Sequence, residues 1–95
     1  MKNIVIQLTV TDAADVEEIR GLLAQQATMS RAEPGCVKFD VLQSQSEPTV
    51  FFLLEQWESA EAHEVHRTAA AYLEIYQPKV LPKASRVAHV SDVVA

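Results

Sequence analysis

The residues best suited to chemistry in this chain are aromatic and imidazole side chains in its second half. Trp57, the only tryptophan, ends an apolar run, and His66 lies in the helical pattern that follows it. An indole can stack on a flat ligand and donate its N–H group, while an imidazole takes up and releases protons near neutral pH. Tyr72 and Tyr76 lie one helical turn apart and add phenolic hydroxyl groups. These residue types predict a ligand-binding pocket around Trp57 and His66.

Each of these residues also has an ordinary structural explanation. A lone histidine on an apolar helix face is more often a core residue that is hydrogen-bonded to a backbone carbonyl. Trp57 equally fits a large side chain that fills the end of a sheet, and tyrosines often pack their rings while the hydroxyl stays in water. Further candidates for the pocket wall are Gln7, which otherwise fits a solvated strand position, and Phe39 and Phe51 or Phe52.

Helical periodicity places His66 toward the predicted sheet. Steps of three and four residues align one stripe, which consists of Ala62, Val65, His66, Ala69, Leu73 and Tyr76. Small side chains dominate around His66, and small residues between a helix and a sheet leave volume for a ligand. Cys36 is expected to be an inert buried thiol because no basic residue adjoins it. Glu55 and Glu58 are expected to be solvated or interface charges.

The elements that must position these residues follow the order β-α-β-β-α-β. Strands are predicted at residues 3–10, 36–43, 49–57 and 84–94. One helix is predicted from the Thr11-Asp12 cap to the residue before Glu33. A second helical region begins at the Ser59 cap, continues after a bend with Thr68 as a further cap, and is ended by Pro78 and Pro82. In a single domain of 95 residues this order predicts a ferredoxin-like α+β fold, in which both helices pack on one face of an antiparallel sheet.

The third predicted strand carries an unbroken apolar run, Val50-Phe51-Phe52-Leu53-Leu54. An antiparallel sheet with one face in water alternates apolar and polar residues, so a continuous run indicates that both faces are covered. The predicted helices suffice for one face only. We therefore expect the other face to pack on the sheet of a second copy in a homodimer, which is the commonest symmetric oligomer. A locally covered sheet edge is the alternative.

Composition argues against several other classes of protein. The net charge is −5, and the eight Lys and Arg residues are scattered, which argues against binding to nucleic acid or to an anionic membrane surface. A single cysteine cannot form an internal disulfide, and no Cys/His cluster has zinc spacing. No segment approaches the roughly 20 apolar residues of a membrane helix. The expectation is a reduced, soluble, cytoplasmic protein without a metal site.

Two groups of short motifs resemble a known family. Glu33-Pro34-Gly35-Cys36 precedes a strand that contains Phe39-Asp40-Val41-Leu42, and Glu55-Gln56-Trp57-Glu58-Ser59 is followed by Glu61-Ala62 and then by His66. In this order and spacing the motifs resemble the antibiotic biosynthesis monooxygenase (ABM) family of small dimeric α+β barrel proteins. The resemblance covers roughly residues 3–90.

This resemblance implies a ferredoxin-like subunit whose sheet packs on a partner's sheet to form a barrel, with one pocket in each subunit. It also implies an oxidoreductase that oxygenates a small aromatic phenol or quinol with O2 and without a metal or flavin cofactor. Trp57 would stack on or hydrogen-bond the substrate, His66 would act as base or polar anchor, and Tyr72 would lie near the substrate oxygens. The residues expected to complete the substrate site are Gln7, Phe39, Phe52, Tyr76 and Arg86.

Departures from the family pattern leave other functions open. Thr68-Ala69-Ala70-Ala71-Tyr72 stands where many members have a Thr-Pro-His-Phe-like stretch, so the role of that second histidine is not transferred. Gln7 in place of an asparagine, and Tyr76 in the stretch of an axial histidine, disfavour the haem-degrading branch. The runner-up is an isomerase of a phosphorylated quorum-signal sugar derivative, with Arg67 and Arg86 as phosphate ligands. The third reading is a non-catalytic dimeric ligand-binding or stress-response module, over which a cavity of about 300 Å³ or more would favour an enzyme or ligand carrier.

Overall fold

The structure is a computed structural model that describes all residues from Met1 to Ala95. Along the chain the elements are β1 (Lys2–Val10), a 3₁₀ turn (Ala13–Asp15), α1 (Val16–Arg31), β2 (Cys36–Gln43), β3 (Val50–Trp57), α2 (Ala60–His66), a π-helix (Ala71–Val80), a second 3₁₀ turn (Leu81–Lys83) and β4 (Ala84–Ser91). The four strands form one antiparallel sheet in the order β2-β3-β1-β4. The predicted ferredoxin-like α+β fold is therefore confirmed, with a last strand that ends at Ser91 rather than at residue 94.

Both predicted helix starts are capped as their sequences indicate. The Asp12 side chain accepts a hydrogen bond from the backbone N–H of Ala14 at 2.9 Å, at the start of the turn that leads into α1. The Ser59 hydroxyl accepts one from the backbone N–H of Ala62 at 3.1 Å, at the start of α2. Such caps satisfy backbone donors that have no partner within the helix. They fix the points at which the chain leaves the sheet for the helical layer.

The core lies between the sheet and the helices. Alternation along β1 directs Ile6 and Leu8 to the same side, where both are buried. Ile19 and Leu23, one turn apart on α1, are fully buried in the same apolar cluster. Burial of these side chains is the main term that holds the helices on the sheet. None of the helices is both long enough and apolar enough to cross a membrane.

The second helical region departs from the prediction. α2 ends at His66, and the Thr68 hydroxyl donates back to the carbonyl of Val65 at 2.8 Å instead of capping a new helix. Pro78 lies inside the π-helix rather than ending it, and Pro82 lies in the 3₁₀ turn that follows. The predicted bend is right, but the predicted roles of Thr68 and Pro78 are wrong.

The π-helix also changes which side chains face the sheet. Its i→i+5 hydrogen bonds widen each turn, so the buried positions, which are Ala71, Ile75, Tyr76 and Val80, recur at steps of four and five. The stripe predicted from α-helical steps is therefore wrong at Leu73, which is 48% exposed. It is also wrong at Val65, which lies in α2 and is 56% exposed. His66, in the last turn of α2, points to the sheet as predicted.

No helix covers the second face of the sheet, which we call the open face. It carries Val5, Gln7, Leu42, Phe52, Leu54 and Val87. Of the apolar run in β3, Phe51 and Leu53 point to the core and are buried, whereas Phe52 and Leu54 point to the open face and are partly exposed. Val5, Leu42 and Val87 on neighbouring strands are exposed. One chain therefore covers one face of the run only.

Candidate active site

One cavity brings together most of the residues that could do chemistry. It lies between the π-helix, α2 and the strands β1 and β4, and its volume is about 220 Å³. Its lining consists of Lys2, Ile4, Ile6, Gln26, Glu55, His63, His66, Arg67, Tyr72, Tyr76, Arg86, Ala88 and Val90. A larger groove of about 330 Å³ between α1 and β2 contains no histidine, tyrosine or carboxylate. The cavity beside His66 is therefore the candidate site.

The size of this cavity limits what it can hold. Pockets for drug-sized ligands typically enclose about 300–1,000 Å³, and the cavity is smaller than the size set above as favouring an enzyme or ligand carrier. Its volume alone therefore does not separate an enzyme from a binding module. The cavity suits a ligand of one or two rings. The choice between an enzyme and a binding module must be argued from the polar groups in its wall.

A carboxylate holds His66 from behind. The ring is 3% exposed and lines the cavity, and its Nδ1 lies 2.7 Å from Oε1 of Glu33. Because a carboxylate oxygen accepts and does not donate, Nδ1 carries the proton of this hydrogen bond. No group of the chain bonds to the other ring nitrogen, Nε2. His66 thus differs from a core histidine tied to a carbonyl, because Nε2 is left to accept a proton from a ligand.

Trp57 lies behind His66 and not in the cavity wall. It is fully buried, and its ring centre is 4.6 Å from that of the imidazole. Its indole N–H donates to Oε1 of Glu55 at 3.0 Å. The N–H group is therefore already used within the chain. This geometry fits a residue that positions Glu55 and His66 rather than one that touches the ligand.

Glu55 corrects a prediction made from the sequence. It was expected to be a solvated or interface charge, but it is 6% exposed and lines the cavity. The reason is strand alternation, since Glu55 points to the same side of β3 as the buried Leu53 and Trp57. Burial raises the pKa of the Glu55 carboxyl, and the hydrogen bond from Trp57 opposes that shift.

Three predicted residues meet His66 at the cavity. Tyr72 stands edge-on to the imidazole, with ring centres 6.0 Å apart and planes at 79°. Tyr76 is 2% exposed, and its hydroxyl accepts a hydrogen bond from Nη1 of Arg86 at 3.1 Å. Burial raises the pKa of Tyr76, so its side chain is a neutral phenol at neutral pH. Tyr72, Tyr76 and Arg86 are thus placed where the sequence predicted a site.

Lys2, His63 and Arg67 complete one end of the cavity, which we call the cationic corner. Nζ of Lys2 lies 3.0 Å from Nδ1 of His63, and the Arg67 guanidinium lies 5.7 Å from the centre of the Tyr72 ring. Burial, and after it the positive charge of Lys2, lower the pKa of His63 to about 4. His63 is therefore neutral at pH 7, and its Nδ1 accepts the hydrogen bond from the Lys2 ammonium.

Gln26 is a lining residue that the sequence analysis missed. It lies on α1, is 1% exposed, and its Oε1 has no hydrogen-bond partner in the chain. Buried polar groups are nearly always paired, so an exception calls for an explanation such as a functional role. The signal was present, because Gln26 stands three residues after Leu23 and four before Ser30, on the buried face of α1.

The structure does not bring three predicted wall residues to the cavity. Gln7 and Phe52 pair across β1 and β3 and point to the open face, because each is out of phase with the buried side chains of its strand. Phe39 is buried 5.9 Å from the imidazole of His66 but does not line the cavity. No group of three or more His, Cys, Asp or Glu side chains is arranged to hold a metal ion.

Solved structures share this fold over almost the whole chain. A crystal structure of an antibiotic biosynthesis monooxygenase superposes with a TM-score of 0.91 at 18% identity, covering 100% of both chains. A protein from Nitrosomonas europaea described with the same family name gives 0.86 at 23% identity, over 98% of this chain and 99% of that one. SnoaB, a cofactor-independent oxygenase from Streptomyces nogalater solved as a mutant, gives 0.85 at 15% identity, over 99% and 93%. At these identities the likeness shows the fold alone.

Sequence comparison identifies the family. No curated protein sequence matches the chain. The sequence model described as antibiotic biosynthesis monooxygenase matches residues 1–77, which run from β1 into the π-helix. The match therefore includes Glu33, Glu55, Trp57, His66 and Tyr72 and spans most of the chain. The chain belongs to the antibiotic biosynthesis monooxygenase family.

Proposed function

We propose that the cavity beside His66 binds a small phenol or quinol and catalyses its oxygenation by O2 without a metal or flavin cofactor. The observation that carries this proposal is the free Nε2 of His66, whose Nδ1 is held by Glu33 at 2.7 Å beside a cavity with aromatic walls. Membership of the ABM family and a fold shared with a cofactor-independent oxygenase support the same chemistry.

For this reaction the protein has to position the substrate and remove its phenolic proton, and it does not have to supply a redox-active group. Triplet O2 reacts slowly with closed-shell molecules, but an electron-rich phenolate can pass one electron to it. Nε2 of His66 takes the phenolic proton, and the resulting radical and superoxide combine at a ring carbon to form a peroxide. The O–O bond then breaks, one oxygen stays on the ring, and the other leaves as water. For 1,4-naphthohydroquinone, substrate and O2 give a hydroxynaphthoquinone and water.

Three further residues have roles in this mechanism. The Arg86 guanidinium uses Nη1 on the Tyr76 hydroxyl, which leaves other N–H donors for a substrate oxygen that becomes negative when its proton is removed. Tyr72, edge-on to His66, forms a wall against which an aromatic ring can stack. Trp57 acts from behind, through its contacts with Glu55 and His66.

Oxygen uptake tests the proposal directly. Purified, chelator-treated protein is expected to consume O2 with 1,4-naphthohydroquinone faster than buffer or heat-denatured protein does. Isotopically labelled O2 should place one labelled oxygen in the quinone product. Uptake equal to the uncatalysed rate, or a product without label, contradicts the proposed reaction.

One observation favours a second candidate, the isomerisation of a phosphorylated sugar derivative. Arg67 and Arg86, the residues that the sequence offered as phosphate ligands, both line the cavity. The two candidate activities differ in their need for O2. An isomerase is active without O2, prefers a phosphorylated ligand, and loses that preference in an Arg67→Ala variant. Indifference to phosphate removes this candidate.

We infer that the chain acts as a homodimer through its open face. Val5, Leu42 and Val87 are exposed there beside the partly buried Phe52 and Leu54. Exposed apolar side chains grouped on one sheet face are typical of a surface that a partner covers. Light scattering at micromolar concentration is expected to give twice the 10.5 kDa mass of the chain. A measured mass of 10.5 kDa contradicts the dimer.

A further inference from the structure

Positive charge is concentrated at the cavity of an otherwise acidic chain. The chain has a net charge of −5 and eight Lys and Arg residues. The three that line the cavity without an ion pair to any carboxylate are Lys2, Arg67 and Arg86. Three others, which lie elsewhere, are paired with carboxylates, and these are Arg31, Lys38 and Lys83. Unpaired cations that meet at one cavity indicate an anionic ligand.

The cationic corner is the part of the cavity where this charge is free. Arg86 bonds to Tyr76 and is attracted to Glu55, the one carboxylate of the lining, so its charge is partly used. Lys2 has only the neutral imidazole of His63 as a partner, which leaves its full charge and two of its three N–H donors. The Arg67 guanidinium contacts the Tyr72 ring and makes no hydrogen bond to an acceptor of the chain.

The lowered pKa of His63 agrees with the contact between Lys2 and His63. Burial is the largest cause, and the charges of Lys2 and Arg67 act in the same direction. Glu64 acts in the opposite direction. A carboxylate bound between Lys2 and Arg67 would remove part of this repulsion and make bidentate recognition by the guanidinium possible.

The rest of the lining shows what the charged group is attached to. Apart from the polar residues, the wall is aliphatic or aromatic, and it consists of Ile4, Ile6, Tyr72, Tyr76, Ala88 and Val90. Within about 220 Å³ these walls suit one or two flat rings. The sides of a fused ring would contact the apolar wall while an attached carboxylate reached the cationic corner.

We propose that the physiological ligand is a phenol or quinol of one or two rings that carries a carboxylate, and that Lys2 and Arg67 bind this carboxylate. The proposal rests on the proposed function for the phenolic end of the ligand, which lies at His66. The carboxylate fixes the orientation of the ring, so that a phenolic oxygen and not another edge faces Nε2 of His66.

Calorimetric titration without O2 separates this binding from any turnover. We expect 1,4-dihydroxy-2-naphthoate to bind the wild-type chain about 10- to 100-fold more tightly than 1,4-naphthohydroquinone, because hydrogen bonds to charged groups typically contribute that much to affinity. The preference should shrink as salt is added, since the corner is partly open to solvent. Equal affinity for the two ligands overturns the proposal.

Paired variants locate the effect. Lys2→Met and Arg67→Gln should each reduce the ratio of the two affinities, because each removes a charge that the carboxylate binds and that 1,4-naphthohydroquinone has no group to use. Lys79→Met and Arg20→Gln remove the same charges from exposed positions outside the cavity and should leave the preference unchanged. If all four variants reduce it equally, net charge and not the corner is responsible, and the assignment to Lys2 and Arg67 is overturned.

Two further ligands distinguish carboxylate from phosphate. The affinity of 1-naphthyl phosphate relative to 1-naphthol is compared with that of 1,4-dihydroxy-2-naphthoate relative to 1,4-naphthohydroquinone. If the phosphate raises the affinity more than the carboxylate does, the corner is a phosphate site and the carboxylate proposal is wrong. The oxygen-uptake assay on uncharged naphthohydroquinone remains a separate measurement. Oxygen uptake without a preference for the carboxylate contradicts only the proposed carboxylate site. A preference for the carboxylate without oxygen uptake contradicts only the proposed oxygenation.

Discussion

A chain in which phenylalanine replaces His66 is expected to oxygenate naphthohydroquinone about 10²–10⁴-fold more slowly than the wild-type chain, the range that general-base groups contribute. Phenylalanine keeps a flat ring next to Trp57 and Phe39, whose ring centres lie 4.6 and 5.9 Å from the centre of the imidazole. It offers no nitrogen to take the phenolic proton. The rate of oxygen uptake at saturating substrate, corrected for the uncatalysed reaction, measures the loss. Wild-type uptake by His66→Phe would mean that another group, or water, removes the proton.

Glu33 is expected to act through His66, as a positioning residue. In Glu33→Gln the amide can still accept a hydrogen bond from Nδ1, but it no longer stabilises the positive imidazole that forms when Nε2 takes a proton. The loss should therefore fall on kcat, with KM little changed, and should be smaller than in His66→Phe. Glu64→Gln, on an exposed position of α2, is the matched control and should retain both constants. A Glu33→Gln variant whose kcat equals that of wild type contradicts this role.

The fold was predictable because its signals are local. Strand boundaries, the Asp12 and Ser59 caps and the element order all follow from periodicity and cap chemistry over a few residues. The π-helix was not predictable in this way. Its wider turn puts Ile75 and Tyr76 on the sheet side and leaves Leu73 exposed, a phase that α-helical steps cannot produce.

The candidate site divides along the same line. Tyr72, Tyr76 and Arg86 line the cavity, and they could be predicted as site residues because aromatic and basic residue types alone suggest a ligand site. The face of a strand residue depends on its phase relative to buried neighbours, and that phase places Glu55 inside and Gln7 outside. In β3 the unbroken apolar run gives no indication of which alternate side chains face the helices, because the residues on both faces are apolar.

The pairing of Glu33 with His66 is a tertiary fact that no pattern in the sequence encodes. Glu33 leads into β2 and His66 ends α2, so the two meet only because both segments pack at the same end of the sheet. The backbone N–H of Glu58 donates to the carbonyl of Gly35 at 2.8 Å, which ties the start of β2 to the end of β3 just before α2. The geometry of the proposed base therefore depends on the turn that contains Gly35.

Alanine at Gly35 is expected to lower the free energy of unfolding by about 3 kcal/mol or more, from left-handed strain together with overpacking. The φ of Gly35 is 78°, a region that residues with a Cβ rarely adopt, and a Cβ built there would lie 2.5 Å from Cβ of Ala62 in α2. The backbone hydrogen bond from Glu58 leaves the turn little freedom to move away. Thermal unfolding should show the Tm lowered by more than about 10 °C for a domain of this size.

Gly21, the only other glycine, provides a control of opposite sign. It lies at an exposed position of α1, and a Cβ built there meets nothing within 4 Å. Gly21→Ala should therefore raise the free energy of unfolding by about 0.5–1 kcal/mol, the difference in helix propensity. Both variants must be compared with wild type at one protein concentration, because the stability of the proposed dimer would depend on that concentration. If Gly35→Ala were as stable as wild type, the close approach of this turn to α2 would not constrain the chain. The link between Gly35 and the placement of His66 would then fail as well.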